Sequence, residues 1–313
     1  DVAREHDMTV DMAGFDVLME QQRDRARGAK SFSALGDGQP NLGLTTEFHG
    51  YDGTQYESTV VAIVVDGESV EHIQAGQAGQ VVLEATPFYG ESGGQVGDTG
   101  ALTGDGFEFV VEDTQKSSDT TLHIGKLKAG ELTIGDSVTA VVDNERRQSI
   151  VLNHSATHLM HAALRQVLGS HVQQKGSLVT PDRLRFDFSH FEGMTAEQIA
   201  DVEDIVNQQI RDNAEANARI MSIDDAMNSG AMALFGEKYG DEVRVMNIGF
   251  STELCGGVHV KRAGDIGLFK VTTETGIASG VRRMDAVTGE GALNYIEQTE
   301  SNLRQIAQLL KGS

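Results

Sequence analysis

Two pairs of residues, about a hundred positions apart, have the types and the spacing to hold one metal ion together. His154 and His158 are four residues apart, so on a helix both imidazoles would project from one face. Cys255 and His259 repeat this spacing in a stretch that also contains two adjacent glycines. Three imidazoles and one thiolate form a ligand set that Zn²⁺ accepts. The four residues therefore predict a zinc site.

The segment that carries the first pair predicts an amphipathic helix from about residue 145 to 168. His154, His158, His161 and Arg165 fall within about 60° of one another on a helical wheel. The apolar stripe lies on the other side of this helix and consists of Leu152, Ala156, Leu159, Ala163 and Val167. The histidines are therefore predicted to lie in a polar site or on a solvated face. His161 is one turn further along the helix. We expect it either to contact the metal ligands without binding the metal itself or to lie at the surface.

The ligand types bear on what the zinc would do. Structural zinc sites usually have four protein ligands and are rich in cysteine, whereas three histidines favour a site at which water can bind and become acidic. A zinc peptidase would need a glutamate directly after His154, but Ser155 stands there. Peptide hydrolysis is thus disfavoured, and an ester is a more plausible target.

Composition narrows the class of protein. A chain of 313 residues with 39% hydrophobic content can form roughly two or three domains with a sizeable core. We expect no membrane span and no secretion, because long apolar runs and a signal-peptide pattern are both missing. The single cysteine excludes an internal disulfide and fits a reducing compartment, so a cytoplasmic location is expected. The sequence begins at Asp1 instead of a methionine and starts within a sequence pattern already under way, which suggests a fragment of a longer protein.

The charge is negative and unevenly distributed. A net charge of −22 argues at first sight against a nucleic-acid partner, whose phosphates bind basic side chains. Residues 46–145 carry 3 basic and 18 acidic side chains, whereas residues 146–313 carry 17 basic and 21 acidic ones. The nearly balanced second half has basic pairs such as Arg146-Arg147 and Arg282-Arg283. These pairs could contact phosphates, with scattered surface charge as the alternative for most of them.

The pattern along the chain predicts an α+β fold in four parts. Residues 1–45 contain a short helical segment, Phe15–Ala29, and a linker over Ser31–Gly43. Residues 46–144 predict a small β-barrel with a glycine-rich loop, residues 145–288 an α+β core with the zinc site, and residues 289–313 the start of a C-terminal connector helix. In the barrel the predicted strands are Ser58–Val65, Glu71–Ala75, Gln80–Ala85, Phe107–Glu112 and Ser137–Val142. In the core they are Gly176–Val179, Leu184–Phe188, Ala218–Ile223, Glu242–Ile248, Leu268–Thr273 and Gly280–Val287, with a helix over Thr195–Asp212.

Two further stretches could contact a ligand. The segment from Phe88 to Asp98 places aromatic residues beside glycines, including Gly93 and Gly94, where backbone can approach a ligand closely. An ordinary barrel loop is the alternative. Gln174 and the adjoining Lys175 precede a strand shortly after the histidine helix and would offer amide and ammonium donors near the metal, unless they form only a polar turn.

Taken together and in order, these motifs resemble the bacterial alanyl-tRNA synthetase family. The resemblance extends over essentially the whole chain and would cover the end of the tRNA-recognition region, the editing domain and the start of the connector helix. Free-standing editing proteins share the barrel and core but are not expected to carry the Phe15–Ala29 segment. The motifs that carry the resemblance are His154–His158, Cys255–His259, Phe88–Asp98, Phe235–Gly240 and Gly280–Gly289.

The resemblance implies hydrolysis of the aminoacyl ester of tRNA(Ala) wrongly charged with serine or glycine, as part of the synthetase. A pocket sized for alanine cannot reject these amino acids strongly. The family's zinc ligands correspond to His154, His158, Cys255 and His259, its editing glutamine to Gln174, and Thr157 would line the site. Gly93 and Gly94 would lie close to the aminoacyl group, Arg282 and Arg283 would contact acceptor-stem phosphates, and backbone N–H groups near Gly256 and Gly257 could bind the oxyanion. The family commonly has Thr where this chain has Val258, which leaves the ligands in place, so we expect activity to survive.

One alternative from another class stays open. The chain could be a tRNA-binding module whose zinc is structural and which does not hydrolyse the ester as an isolated piece. Aminoacylation is not expected, because no stretch resembles the ATP-binding motifs of an activation domain.

Overall fold

The structure, a computed structural model, describes residues 42–232 and 240–310 and has an α+β fold. Leu44–Ser313 forms one compact unit. The predicted helix Phe15–Ala29 lies outside the described residues, as do nearly all of the predicted linker and of the Phe235–Gly240 motif. The predicted boundaries at 45, 144 and 288 stay a prediction.

The first half of the described chain is a closed antiparallel β-barrel. Six strands follow one another around it in the order β11-β7-β8-β9-β5-β2, and β11 pairs again with β2 to close it. Alternate residues point inward, as Phe107, Phe109 and Val111 of β8 do. The strands β1 to β11 are Glu47–Phe48, Gln55–Val65, Glu68–Val70, His72–Gln74, Ala78–Leu83, Ala85–Thr86, Gly100–Gly104, Phe107–Ser117, Thr120–Ala129, Glu131–Thr133 and Ser137–Val142.

The predicted small barrel is thus confirmed, although not every strand was predicted. The prediction for Ser137–Val142 matches β11, and the prediction for Phe107–Glu112 covers only the first half of β8. The strands β7 and β9 were missed. The first begins and ends with glycine, which disfavours strand conformation, and its register is fixed by its neighbours β8 and β11 rather than by its own pattern.

The second half packs helices against two antiparallel sheets. One sheet has the order β12-β13-β18-β17 and the other the order β14-β15-β16. The strands β12 to β18 are Gln174–Val179, Leu184–Ser189, Asn217–Ser222, Glu242–Ile248, Ser251–Leu254, Phe269–Ala278 and Val281–Thr288. The helices α1 to α4 are Asn144–Leu168, Ala196–Asp212, Ile223–Asn228 and Gly289–Leu310, and a short 3-10 helix covers Ala263–Ile266. The strand β16 and the helix α3 were not predicted.

Local signals explain where the main helices begin. Asp143 caps α1 by accepting a hydrogen bond from the backbone of Arg146. Thr195 and Gln198 form a capping box at the start of α2, the helix predicted over Thr195–Asp212. The predicted C-terminal helix is present as α4, in which Ala292 is buried. None of the helices in the described residues combines the length and the apolar character that crossing a lipid bilayer needs.

The helix α1 is buried on both of its faces. Its apolar stripe packs in the core with Phe186 and Phe188 of β13. The histidine face is buried as well, because the barrel loop around Gln95 and the chain that follows β16 cover it. Of the two predictions for this face, the structure therefore selects a polar site and excludes a solvated surface. His161 has an exposed fraction of only 4%, so the surface alternative for this residue was wrong.

A buried ion pair joins α1 to the barrel. The Nε of Arg147 donates to Asp98 at 2.8 Å, and the same guanidinium donates to the carbonyls of Gly50 and Pro87. Arg147 and Asp98 are both almost fully buried. The expectation that Arg147 contacts phosphates was therefore wrong, because this side chain holds the barrel loop against the helix.

Candidate active site

The four predicted ligands come together where α1 meets the chain that follows β16. The helix supplies His154 and His158, and the loop after β16 supplies Cys255 and His259. Their ligand atoms all lie within 4.8 Å of one another. The Sγ atom of Cys255 is 3.5 Å from Nε2 of His154 and 3.2 Å from Nε2 of His259. Around a tetrahedral zinc ion, ligand atoms lie about 3.3–3.8 Å apart, so the donor set fits this metal and the two distances from Cys255 are close to that range.

Each imidazole of the cluster is held through its outer nitrogen. Nδ1 of His154 is 2.7 Å from Oε1 of Gln95, and Nδ1 of His158 is 2.8 Å from Oε2 of Glu253. Nδ1 of His259 is 3.2 Å from Oγ of Ser155. A partner on Nδ1 leaves Nε2 as the ligand atom and fixes the orientation of the ring.

The electrostatics of the cluster favour a cation. Burial disfavours the thiolate of Cys255, but the three neighbouring imidazoles outweigh this and hold its pKa well below the usual value. Burial also disfavours the imidazolium of His158, yet Glu253 and Cys255 raise its pKa to about 10. For Glu253, burial is outweighed by His158 and His161, which lower its pKa to about 2. The pKa of His259 falls to about 3, because burial and its histidine neighbours disfavour its charged form.

A cavity of about 70 Å³ opens beside the cluster. Its wall combines three ligands with groups from the barrel loop and from β12. It includes Gln174 and Thr157 together with Gly93, so these three predicted site residues share one space with the metal ligands. The lining residues are Tyr89, Ser92, Gly93, His154, Thr157, His158, Gln174, Ser177, Glu253, Leu254, Cys255, Gly256 and Gly257.

Comparison with known proteins places this site in a family. The model of the family "tRNA synthetases class II (A)" matches residues 1–146, and that of the "Threonyl and Alanyl tRNA synthetase second additional domain" matches residues 243–285. The whole chain aligns with alanine–tRNA ligases of Methylococcus capsulatus and Stenotrophomonas maltophilia at 56% identity, and with that of Shewanella loihica at 54%. The chain belongs to the alanine–tRNA ligase family. It spans 36% of the length of each of these three relatives.

In this member of the alanine–tRNA ligase family, other predicted site residues lie elsewhere. Gly94 has a φ of 85° and packs against the backbone of Ser177, so it joins the barrel loop to β12. Arg282 forms two hydrogen bonds with Glu274, at 2.6 and 2.8 Å. Arg283 forms two with Asp187, at 2.7 and 2.8 Å. These guanidinium groups are paired within the β17–β18 and β13–β18 strand pairs, and none of the three residues lines the cavity.

The loop that carries Cys255 and His259 is anchored at its backbone. Arg244 donates to the carbonyls of Cys255 and Gly257, at 2.8 and 3.1 Å. Its guanidinium also lies over the ring of Tyr51, 4.2 Å from the centroid, and the Tyr51 hydroxyl donates to the carbonyl of Gly256 at 2.6 Å. These anchors fix the loop from the barrel side and from β15.

Sequence reasoning missed the residues that support the ligands. Gln95 lies in the glycine-rich stretch Phe88–Asp98, in which the sequence predicts ligand contacts for Gly93 and Gly94 only. Glu253 is two residues before Cys255, and a carboxylate so close to a ligand was an available signal. Tyr51 and Arg244 gave no signal, because their positions follow only from the packing of the barrel against the second half.

Proposed function

We propose that this chain hydrolyses the aminoacyl ester of tRNA(Ala) that carries serine or glycine, as the editing part of an alanine–tRNA ligase. The observation that carries the proposal is that Gln174 and Thr157 line the same cavity as the His/Cys cluster. The family membership of the chain supports the choice of tRNA(Ala) as substrate. The match of residues 243–285 to the second additional domain of threonyl- and alanyl-tRNA synthetases supports the assignment to editing.

His154, His158, Cys255 and His259 would hold a zinc ion. When bound, zinc supplies a Lewis acid and lowers the pKa of a bound water. The low pKa of Cys255 provides the thiolate that zinc requires, and the partners on Nδ1 provide free Nε2 atoms.

Two polar side chains would recognise the aminoacyl group. The hydroxyl of Thr157 donates to the carbonyl of Asn153 at 2.8 Å, so its oxygen remains available as an acceptor. An amino or hydroxyl group of the substrate could donate to it. The carboxamide of Gln174 makes no hydrogen bond to another described residue, and it lies half-buried in the cavity wall. It can therefore orient an attacking water or the amino-acid moiety.

Backbone groups would complete the site. Gly93 brings backbone to the cavity without a side chain. The amide of Gly257 lies 3.4 Å from Sγ of Cys255 and donates to it, and the amide of Val258 donates to Gln95. Of the expected oxyanion donors, Gly256 N–H is then the one without a partner among the described residues, and we assign it this role.

The proposed partners are the acceptor end of tRNA(Ala) and the remainder of the synthetase, and the proposed location is the cytoplasm. Because Arg282 and Arg283 are already paired with carboxylates, phosphate binding by these residues would require exchange of those ion pairs. That contact with the acceptor stem remains part of the proposal.

The test is the release of labelled serine from Ser-tRNA(Ala), with bound zinc measured in each variant. We expect Cys255→Ala to lose both zinc and hydrolysis, and Gln174→Ala to keep zinc and lose hydrolysis. Gln173→Ala is the matched control, because Gln173 is an exposed neighbouring glutamine that does not line the cavity. It should retain both properties.

One observation favours an alternative function, a tRNA-binding module with a structural zinc site. Four protein ligands lie close enough to fill a tetrahedral zinc site completely, which is the arrangement of structural zinc. If the parent protein holds zinc and binds tRNA(Ala) but releases no serine above background, the chain is a binding module and the editing proposal is wrong.

A further inference from the structure

We infer that Gln95 is a positioning residue of the metal site, through which the barrel loop fixes both pairs of ligands at once. The inference rests on the proposed zinc site and does not require that the site hydrolyse an ester. Gln95 lies in the loop between β6 and β7, far in sequence from all four ligands, and its side chain is fully buried.

One oxygen atom makes both connections. Oε1 of Gln95 is 2.7 Å from Nδ1 of His154, which belongs to the helix pair of ligands. The same Oε1 accepts a hydrogen bond from the backbone N–H of Val258 at 3.1 Å, and Val258 directly precedes His259 in the loop pair. A single carboxamide oxygen thus sets the position of one ligand from each pair.

The second contact also determines which way the carboxamide faces. A backbone N–H can only donate, so the atom of Gln95 that meets Val258 must be the acceptor oxygen. The oxygen then also accepts from Nδ1 of His154, and this imidazole must carry its proton on Nδ1. Nε2 of His154 is left with a lone pair that points toward Cys255, as a metal ligand requires.

The loop that carries Gln95 is held in place by hydrogen bonds to two other elements. On one side of the residue, Val96 N donates to the carbonyl of Val179 at 3.1 Å, and Val179 N donates to the carbonyl of Gly94 at 2.7 Å. Three residues later, Asp98 is held by the buried guanidinium of Arg147. The loop is therefore fixed to β12 and to α1, and it can hold its carboxamide in one place against the ligands.

The packing around the carboxamide is tight. A Cβ atom at Gly257 would lie 3.0 Å from Oε1 of Gln95 and 2.2 Å from Cε1 of His154. The glycine at this position thus lets the ligand loop approach Gln95 and His154 together. Loss of the acceptor would leave two buried donors without a partner, which favours displacement of the loop or rotation of the ring.

The experiment measures zinc affinity by competition with a chelator, and the visible absorption of the Co²⁺-loaded protein as a report on ligand geometry. Gln95→Met keeps the length of the side chain but removes the acceptor, and we expect an affinity about 10–100-fold lower with a changed Co²⁺ spectrum. Gln95→Glu keeps an acceptor oxygen and should restore the parent spectrum, with an affinity within about tenfold of the parent. Gln115→Met is the control, since Gln115 is a barrel glutamine bonded to Glu91 and Asp113 instead of a ligand.

The outcomes separate this inference from the proposed function. If folded Gln95→Met protein has the zinc affinity and Co²⁺ spectrum of the parent, or if Gln115→Met shows the same loss, Gln95 is not a positioning residue. The inference also fails if the parent binds no zinc. If Gln95→Met loses affinity while the parent releases no serine from Ser-tRNA(Ala), the inference stands and the editing proposal fails.

Discussion

Nδ1 of His158 lies 2.8 Å from Oε2 of Glu253 and donates a hydrogen bond to it. The other carboxylate oxygen lies 2.9 Å from Nδ1 of His161, one turn further along the same helix. Glu253 therefore clamps two imidazoles of α1, only one of which belongs to the cluster of ligand atoms. The role of His161 is thus to hold the carboxylate of Glu253 in place through the oxygen that does not contact His158.

This arrangement predicts that Glu253→Gln weakens zinc binding about tenfold or more. Both imidazoles donate a hydrogen bond to the carboxylate, whereas an amide can accept only at its oxygen and has a donor NH₂ group at its other end. Glu242→Gln is the control, since Glu242 is exposed on the neighbouring strand β15. Chelator competition measures both variants. Equal zinc affinities of Glu253→Gln and the parent would show that the clamp does not support His158.

The two glycines of the ligand loop should differ sharply in their tolerance of a methyl group. At Gly257 a Cβ atom would lie 2.2 Å from Cε1 of His154, whereas at Gly256 it would meet nothing within 4 Å. We expect Gly257→Ala to lose most of its zinc and Gly256→Ala to retain it. Zinc content after dialysis measures the difference, and similar content in both variants would contradict the loop geometry.

Zinc binding should release a proton from His158. Without metal its pKa is about 10, since Glu253 and Cys255 outweigh the effect of burial, so at neutral pH a proton occupies the imidazole that zinc must use. The three neighbouring imidazoles hold the pKa of the Cys255 thiol well below its usual value, so this group contributes fewer protons to the release than an ordinary thiol would. Affinity should therefore rise with pH up to about pH 10, with about one proton released per zinc at neutral pH from His158.

Calorimetric titration with zinc in buffers of different ionisation enthalpy measures this release. Glu253→Gln removes the carboxylate that raises the pKa of His158, so it should release fewer protons than the parent. A binding enthalpy that is the same in all buffers for the parent would contradict the prediction.

The buried ion pair between the barrel and α1 should be costly to break. Arg147→Met leaves the carboxylate of Asp98 buried without its partner, which predicts a loss of about 3–5 kcal/mol in the free energy of unfolding. Arg147→Met combined with Asp98→Leu should recover part of that loss, because no charge is then left buried. Arg146→Met, which loses one hydrogen bond to the carbonyl of Gly97, should cost about 1 kcal/mol.

Urea unfolding of these variants measures the three differences. If Arg147→Met costs no more than Arg146→Met, the ion pair does not hold the loop against the helix. In that case the loop position that Gln95 needs must come from its pairing with β12 alone.

By itself, the sequence determined the long helices of the second half, some of the strands and the ligand types. The spacing of His154 and His158 and the apolar stripe beside them predicted α1, because helical periodicity is a local property. The alternation in Phe107–Val111 and in Ser137–Val142 predicted barrel strands for the same reason. The Cys-Gly-Gly stretch ending in His259 supplied the second pair, and the chemistry of zinc allowed the pairs to be combined.

Only the tertiary structure decided what surrounds the ligands. Gln95, Glu253 and Ser155 reach the outer nitrogens of the imidazoles across separations of 59, 95 and 104 residues, respectively. Such pairings depend on how the barrel and the β14–β16 sheet pack against α1, and no local pattern encodes them. The same packing buried the histidine face and paired Arg147, Arg282 and Arg283 with carboxylates, although their sequence context alone was compatible with exposed cations.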